Sequence, residues 1–293
     1  MKRIFFLFAA LLLLFSLTGC HEVETQGQIA ATTLPVYDFT VRLCRGTDIS
    51  VTRLVTENIS CLHDYSLSVR QVKAIESAQI VILSGGGLED FMDDALSGAT
   101  NIIHSAENLP LLDCGEHHEH DHAHGHTHEQ DPHLWLSPQY AKGMAANICA
   151  GLKVQFPQHC DLLNANLAKL LAELDALQTY GQQQLADLFC RELITFHDGF
   201  AYFAVAFRLT ILEAVEEESG SEASAAELKH LITLVQEHHL PAVFTEASGS
   251  VSAAGIISAE TGVKIFTLDM AMSGNSYFEA MYHNIDTIKE ALG

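Results

Sequence analysis

The sequence predicts an α/β protein of two lobes, each a mostly parallel sheet covered by helices, with one long helix joining them. Three observations carry that expectation: short β-type runs alternate with helical patterns twice along the chain, a leucine-periodic segment separates the two alternations, and 293 residues exceed what one hydrophobic core usually holds. In the first half, IAAT at 29–32 precedes a helix from about Val36, and ISVTRLV at 49–55 precedes one from about Ser68. IVILS at 80–84 leads to a helix near Phe91, and IIH follows at 102–104. Gly85, Gly86 and Gly87 lack the Lys and Ser or Thr of a phosphate cradle and are followed by acidic LEDF, so they predict a tight turn.

Ser137-Pro138 predicts an N-cap with Pro at the first helical position, opening a helix that turns Met144, Ile148 and Leu152 to a core. Leu163, Leu167, Leu170, Leu174 and Leu177 then recur at gaps of four and three, with no Pro or Gly from Gln158 to Tyr180. This pattern predicts a helix of about 30 residues, roughly 45 Å long, with too few heptads for a coiled-coil seam and the right length for a spine between lobes. The second half repeats the first: LITF at 193–196, a helix over Phe200 to Phe207, a strand near Ile211, a helix from Ala223 to His239, AVFTE at 242–246, a helix from Ser250 to Thr261, KIFTL at 264–268, and a last helix from Tyr277 to Leu292. The acidic stretch 216–224 reads as a solvated loop. The expected divisions are 29–157 for the N-terminal lobe, 158–189 for the connecting helix and 190–293 for the C-terminal lobe.

Ahead of the lobes, Lys2 and Arg3 precede an apolar stretch from Ile4 to Leu17, the build of an export signal over 1–19. Leu17-Thr18-Gly19-Cys20 is similar to the bacterial lipobox, which makes Cys20 a lipidated first residue, 20–28 a tether, and the mature chain extracytoplasmic and anchored to a membrane. The chain carries 15 basic and 37 acidic residues, a net of −22. That field disfavours nucleic acid and anionic surfaces and gathers cations. Cys44, Cys61, Cys114, Cys149, Cys160 and Cys190 form no CxxC pair and read as structural, paired or buried; Cys61 also stands two residues before His63.

The run EHHEHDHAHGHTHE at 116–129 brings His117, His118, His120, His122, His124, His126 and His128 into one segment with no apolar residue larger than Ala. Such a composition cannot form a core, and neutral imidazole is the commonest ligand for transition metals, so the run reads as a metal-collecting loop. An expression tag would sit at a terminus, whereas this run is internal. Three further histidines are expected at or just beyond strand ends, where open α/β sheets place ligands: His63 in LHDYS, His133 in DPHLWLSP and His197 in TFHDGF. A lone histidine at such a point is usually a cap or a core residue; three in a chain with a histidine-rich loop point to one ion. Asp269, after KIFTL, is the candidate fourth ligand and Glu246, ending AVFTE, its rival, while Asp131 and Asp198 are placed to orient imidazoles.

On these residues the chain resembles the zinc and manganese solute-binding proteins of ABC importers. The pattern covers His63, DPHLWLSP around His133, FHDGFAYF around His197, the stretch from Glu222 to Leu228, Glu246, and Asp269 with the Tyr277 helix after it. The resemblance implies two lobes joined by one long helix, a cleft site where His63, His133, His197 and Asp269 bind the ion, and delivery by a monomer to a membrane permease. CLHDYSLS lacks the family's prolines and Glu, and Met270 stands where the family has Pro. Imidazole-rich ligation favours Zn²⁺ over Mn²⁺. Alternatives are a manganese-binding member, a surface zinc buffer or adhesin acting through its loop, and a zinc hydrolase; against the last, there is no HExxH helix among the predicted helices.

Overall fold

The computed structural model describes residues 28–57, 59, 62, 65–113, 130–215, 223–247 and 251–293. The export segment, Cys20, Cys61, His63, Cys114 and the histidine run lie outside the described residues. No helix among the described residues is long and apolar enough to cross a membrane.

Two four-stranded sheets form, and all their strand pairings among the described residues are parallel. The N-terminal sheet holds β1 (Ile29–Ala31), β2 (Val51–Arg53), β3 (Ile80–Leu83) and β4 (Ile102–His104) in the order β2-β1-β3-β4. The C-terminal sheet holds β5 (Glu192–Thr195), β6 (Thr210–Ala214), β7 (Ala242–Glu246) and β8 (Lys264–Leu268) in the order β6-β5-β7-β8. β1, β3 and β7 are buried throughout, as the continuous apolar runs of a sheet covered on both faces require. In both sheets the order reverses beside the first strand. The chain therefore leaves β1 and β3, and again β5 and β7, in diverging directions and opens a crevice at their carboxyl ends.

Helices α1 (Leu34–Leu43), α2 (Val69–Ser77), α3 (Asp93–Leu96) and α4 (Pro138–Gln155) belong to the first half. After the spine α5 (Cys160–Gln184) come α6 (Ala201–Phe207), α7 (Ala225–Glu237), α8 (Ser252–Thr261) and α9 (Tyr277–Leu292). Capping boxes start α2 at Ser68 with Gln71 and α7 at Ser224 with Glu227. Ser137 occupies the N-cap of α4 ahead of Pro138, as the sequence predicts, and its side chain makes no cap bond.

The spine is shorter than the periodicity predicts. It runs 25 residues, about 37 Å, because its approach at Pro157–His159 is a 3-10 turn and the helix stops before Leu185. Leu163, Leu170, Leu174 and Leu177 are buried along it, and Gly181 closes on Phe207: a Cβ there would lie 2.2 Å from the ring. The Arg191 guanidinium donates to the carbonyls of Leu185, Ala186, Phe207 and Arg208, tying the ends of α5 and α6 together.

The lobes share one hydrophobic core that includes Phe39, Trp135, Phe203 and Tyr277. Trp135 Nε1 donates to Met270 O at 2.7 Å, and the Tyr277 hydroxyl donates to Trp135 O at 2.7 Å. Tyr277 N donates to Asp38 at 3.1 Å, and Arg42 lies 4.3 Å over the Phe278 ring. These contacts join α1 and the DPHLWLSP segment to α9, so wide opening of one lobe from the other would expose a continuous core. The described cysteines, Cys44, Cys149, Cys160 and Cys190, are all free thiols. Cys160 and Cys190 are neither paired nor fully buried, which corrects the expectation for those two. Burial and the neighbouring Cys149 push the Cys44 thiol up to about 12.

The N-terminal crevice is filled by the chain itself. Gly85, Gly86 and Gly87 all adopt left-handed φ, at 85°, 71° and 87°, and fold the chain into the expected tight turn. Buried Glu89 then accepts from Thr32 Oγ1 at 2.6 Å, Ser84 N at 2.7 Å and Gly85 N at 2.9 Å. Glu89→Ala strands these donors in a dry pocket and is expected to lower stability by about 3 kcal/mol, read by urea unfolding. Burial raises the Glu89 carboxyl above its ordinary value, with the hydrogen bonds opposing. The folded state thus holds that proton more tightly than the unfolded chain, and the group's contribution is full below the ordinary Glu range and lost as pH rises through the raised value. The stability gap between wild type and Glu89→Ala should narrow over that window; a gap that widens as pH rises contradicts the sign.

Candidate metal centre

The C-terminal crevice is where the chemistry gathers. His197 stands two residues beyond β5, and Glu246 ends β7, the strand on the other side of the reversal. His133 arrives from the other half of the chain. It is not beside a strand end, as expected, but at the N-cap of a 3-10 turn, Leu134–Leu136. Trp135 and Tyr277 press that turn against the C-terminal lobe, and the Trp135 ring meets His133 edge-on at 5.4 Å.

The His133 and His197 rings meet edge-to-face, with centroids 5.3 Å apart, and their Nε2 atoms approach to 3.5 Å. Each ring is held from behind. Asp131 Oδ1 lies 2.8 Å from His133 Nδ1 and accepts the His133 backbone N–H at 2.9 Å. Glu246 Oε1 lies 3.0 Å from His197 Nδ1. The side chains of both acids are 5% exposed or less, so water does not weaken these contacts. A carboxylate only accepts, so in the neutral rings Nδ1 carries the hydrogen and each Nε2 lone pair faces the other ring. Two lone pairs aimed at each other repel unless a cation sits between them. Two nitrogens bound about 2.0–2.1 Å from one tetrahedral Zn²⁺ stand about 3.3–3.4 Å apart, near the separation seen.

The surroundings fix this geometry. Tyr202 OH donates to Asp131 O at 3.0 Å and accepts from Leu112 N at 2.9 Å; Asp131 N donates to Leu112 O at 2.8 Å. An antiparallel bridge between Asp113 and Gln130 pins the segment just before Asp131. A Cβ on Gly199 would lie 2.7 Å from His197 Cδ2 and 2.5 Å from Met270 Cε, so only glycine leaves the ring where it is. Tyr202, Gly199 and Trp135 were present in the two quoted motifs, but their partners lie in the other half of the chain and no local spacing revealed them.

The two candidate acids stand in different surroundings. Glu246, the rival candidate, has its Oε1 3.0 Å from His197 Nδ1, since β7 ends directly behind that ring; its Oε2 is buried and has no hydrogen-bond partner among the described residues. Asp269 is clamped by Asn284, which accepts from Asp269 N at 2.8 Å and donates to Asp269 O at 2.7 Å. Its Oδ1 accepts the Ala271 N–H at 2.7 Å, and it lines a cavity of about 210 Å³ with Ser273, Glu279 and His283. Among the described residues no three His, Cys, Asp or Glu side chains are grouped to hold one ion, so the structure brings His133 and His197 together but does not add Asp269 to them. A larger cavity, about 300 Å³ beside Arg191 and Phe207, contains neither histidine.

Residues 29–291 match the family model described as zinc-uptake complex component A, periplasmic, or ZnuA. The chain is 28% identical to the zinc-binding lipoprotein AdcA of Streptococcus pneumoniae, with 99% of this chain and 61% of AdcA aligned. It spans about three fifths of that relative's length. Identity to the manganese-binding lipoprotein MntA of Bacillus subtilis is also 28%, over 97% of each chain. A crystal structure of ZnuA superposes with a TM-score of 0.79 at 30% identity, covering 90% of this chain and 98% of that one.

Proposed function

Because this chain belongs to the ZnuA family of solute-binding proteins, we propose that it captures Zn²⁺ outside the cytoplasm and hands it to the permease of an ABC importer. The observation that carries this reading is the approach of two imidazole Nε2 atoms from opposite lobes, each ring backed by a buried carboxylate. His133 and His197 are the ligands the geometry supports best, with His63 and Asp269 completing the set. Relatives named for zinc and for manganese are equally similar, so ligand chemistry decides: imidazole-dominated sites favour Zn²⁺, and Mn²⁺ stands lowest in the affinity order for such donors. The ion is cargo, and the chain binds without turnover. In this reading Cys20 anchors a monomer to the membrane, and the histidine run gathers ions near the site. Since the lobes share a core, release proceeds through local shifts of the loops bearing His197 and Asp269.

Metal analysis followed by competitive titration tests the reading. One tight equivalent of Zn²⁺ that Mn²⁺ fails to displace is expected; tighter Mn²⁺ binding moves the chain to the manganese branch. Deleting 116–129 should leave the single tight equivalent and remove weaker additional ions. Loss of the tight equivalent with the loop would place the function in the loop, as in a surface buffer.

A further inference from the structure

Glu246 presents a puzzle that the ligand set alone does not explain. Its side chain is 4% exposed, one oxygen is 3.0 Å from His197 Nδ1, and the other has no hydrogen-bond partner among the described residues. A buried carboxylate with an unpaired oxygen is costly to fold, and apolar or neutral replacements of buried charges are often neutral or stabilising. Asp131 differs. Its Oδ1 is shared by the His133 ring and backbone N–H, and its backbone N and O are both bonded, so it is built into the local structure.

Two imidazoles bring no charge to a divalent ion. Asp131 and Glu246 lie one ring behind the point where the Nε2 atoms meet, and together they supply two negative charges within a dry site. Asp269 holds its Oδ1 to the Ala271 N–H, so the charge of Asp131 and Glu246 comes in addition to what its other oxygen brings to the ion. Resting on the zinc-binding reading above, we propose that Glu246 is a positioning and charge-compensating residue that acts on the ion through His197, and that the metal-free fold tolerates its unpaired oxygen for this purpose. The carboxylate fixes the ring so that Nε2 faces the ion, and the cation's field offsets the cost of the buried charge once the ion is bound.

Glu246→Gln provides the test because it retains an oxygen that can accept from His197 Nδ1 while removing the charge. Zinc affinity, read by competition with a chelator, should fall 10- to 100-fold. The melting temperature of the metal-free protein should stay level or rise, a change opposite in sign to the affinity change. Co²⁺ substituted into the variant should keep the absorption intensity of the wild-type site, because no directly bound atom is lost. Unchanged zinc affinity overturns the proposal. So does an affinity loss accompanied by a lower metal-free melting temperature, which marks an acid needed only for the fold. A Co²⁺ spectrum changed in coordination number overturns it in favour of direct ligation. Failure of wild-type protein to bind zinc tightly would instead reject the function proposed above, which keeps the two failures apart.

Discussion

His133→Ala should weaken zinc binding at least a hundredfold while leaving the fold nearly as stable as wild type. A four-ligand zinc site is worth about 10–16 kcal/mol, so removing one ligand costs about 3 kcal/mol, or roughly 150-fold. The fold survives because Asp131 keeps the backbone N–H of residue 133 as a donor, along with its bonds to Leu112 and Tyr202. His197→Ala should lose similar affinity but more stability, because it strips from Glu246 its one partner among the described residues and leaves both carboxylate oxygens buried without a donor from them. Chelator competition reads the first quantity and thermal melting of the metal-free proteins reads the second. Equal melting temperatures for the two variants would contradict this account of Glu246.

Trp135→Ala should be the most destabilising single replacement considered, at about 3–5 kcal/mol by urea unfolding. The indole is fully buried in the shared core, so the change leaves a large cavity between the lobes. It also removes the bond from Nε1 to Met270 O and loosens the segment whose carbonyl accepts the Tyr277 hydroxyl. Zinc affinity should fall as well, because Trp135 packs edge-on against His133 and its segment carries that ring to His197. Trp135→Phe retains most of the volume and should recover most of the stability but not the Met270 bond. A loss under 1 kcal/mol for Trp135→Ala would mean that the lobes are not joined through this residue.

The two-lobed α/β architecture was legible because its signals are local. Apolar runs such as IVIL and AVFTE mark buried parallel strands, and the Leu163 to Leu177 spacing marks the spine. The spine's ends were not legible, since the turn at Pro157 and the stop before Leu185 depend on packing against neighbouring segments. At the site, the histidines could be nominated from motifs, but their approach could not. His133 reaches His197 only because Trp135 and Tyr277 bind across the lobes, and those contacts join residues 135 and 142 positions apart. Glu246 stands in the sequence as a rival fourth ligand because a strand-end acid and a histidine partner look alike there; its 3.0 Å contact with His197 Nδ1 joins residues 49 positions apart and has no local signal. The structure likewise explains the three glycines through Glu89, a residue with no motif of its own.

The central claim is that His133 and His197 bind one Zn²⁺ through their Nε2 atoms. X-ray absorption at the zinc edge, on protein loaded with a single equivalent, addresses it most directly. The account predicts nitrogen neighbours at about 2.0–2.1 Å with the multiple-scattering pattern of imidazole, and one fewer ring in His133→Ala. An oxygen-only first shell, or a ring count unchanged by that substitution, would contradict it.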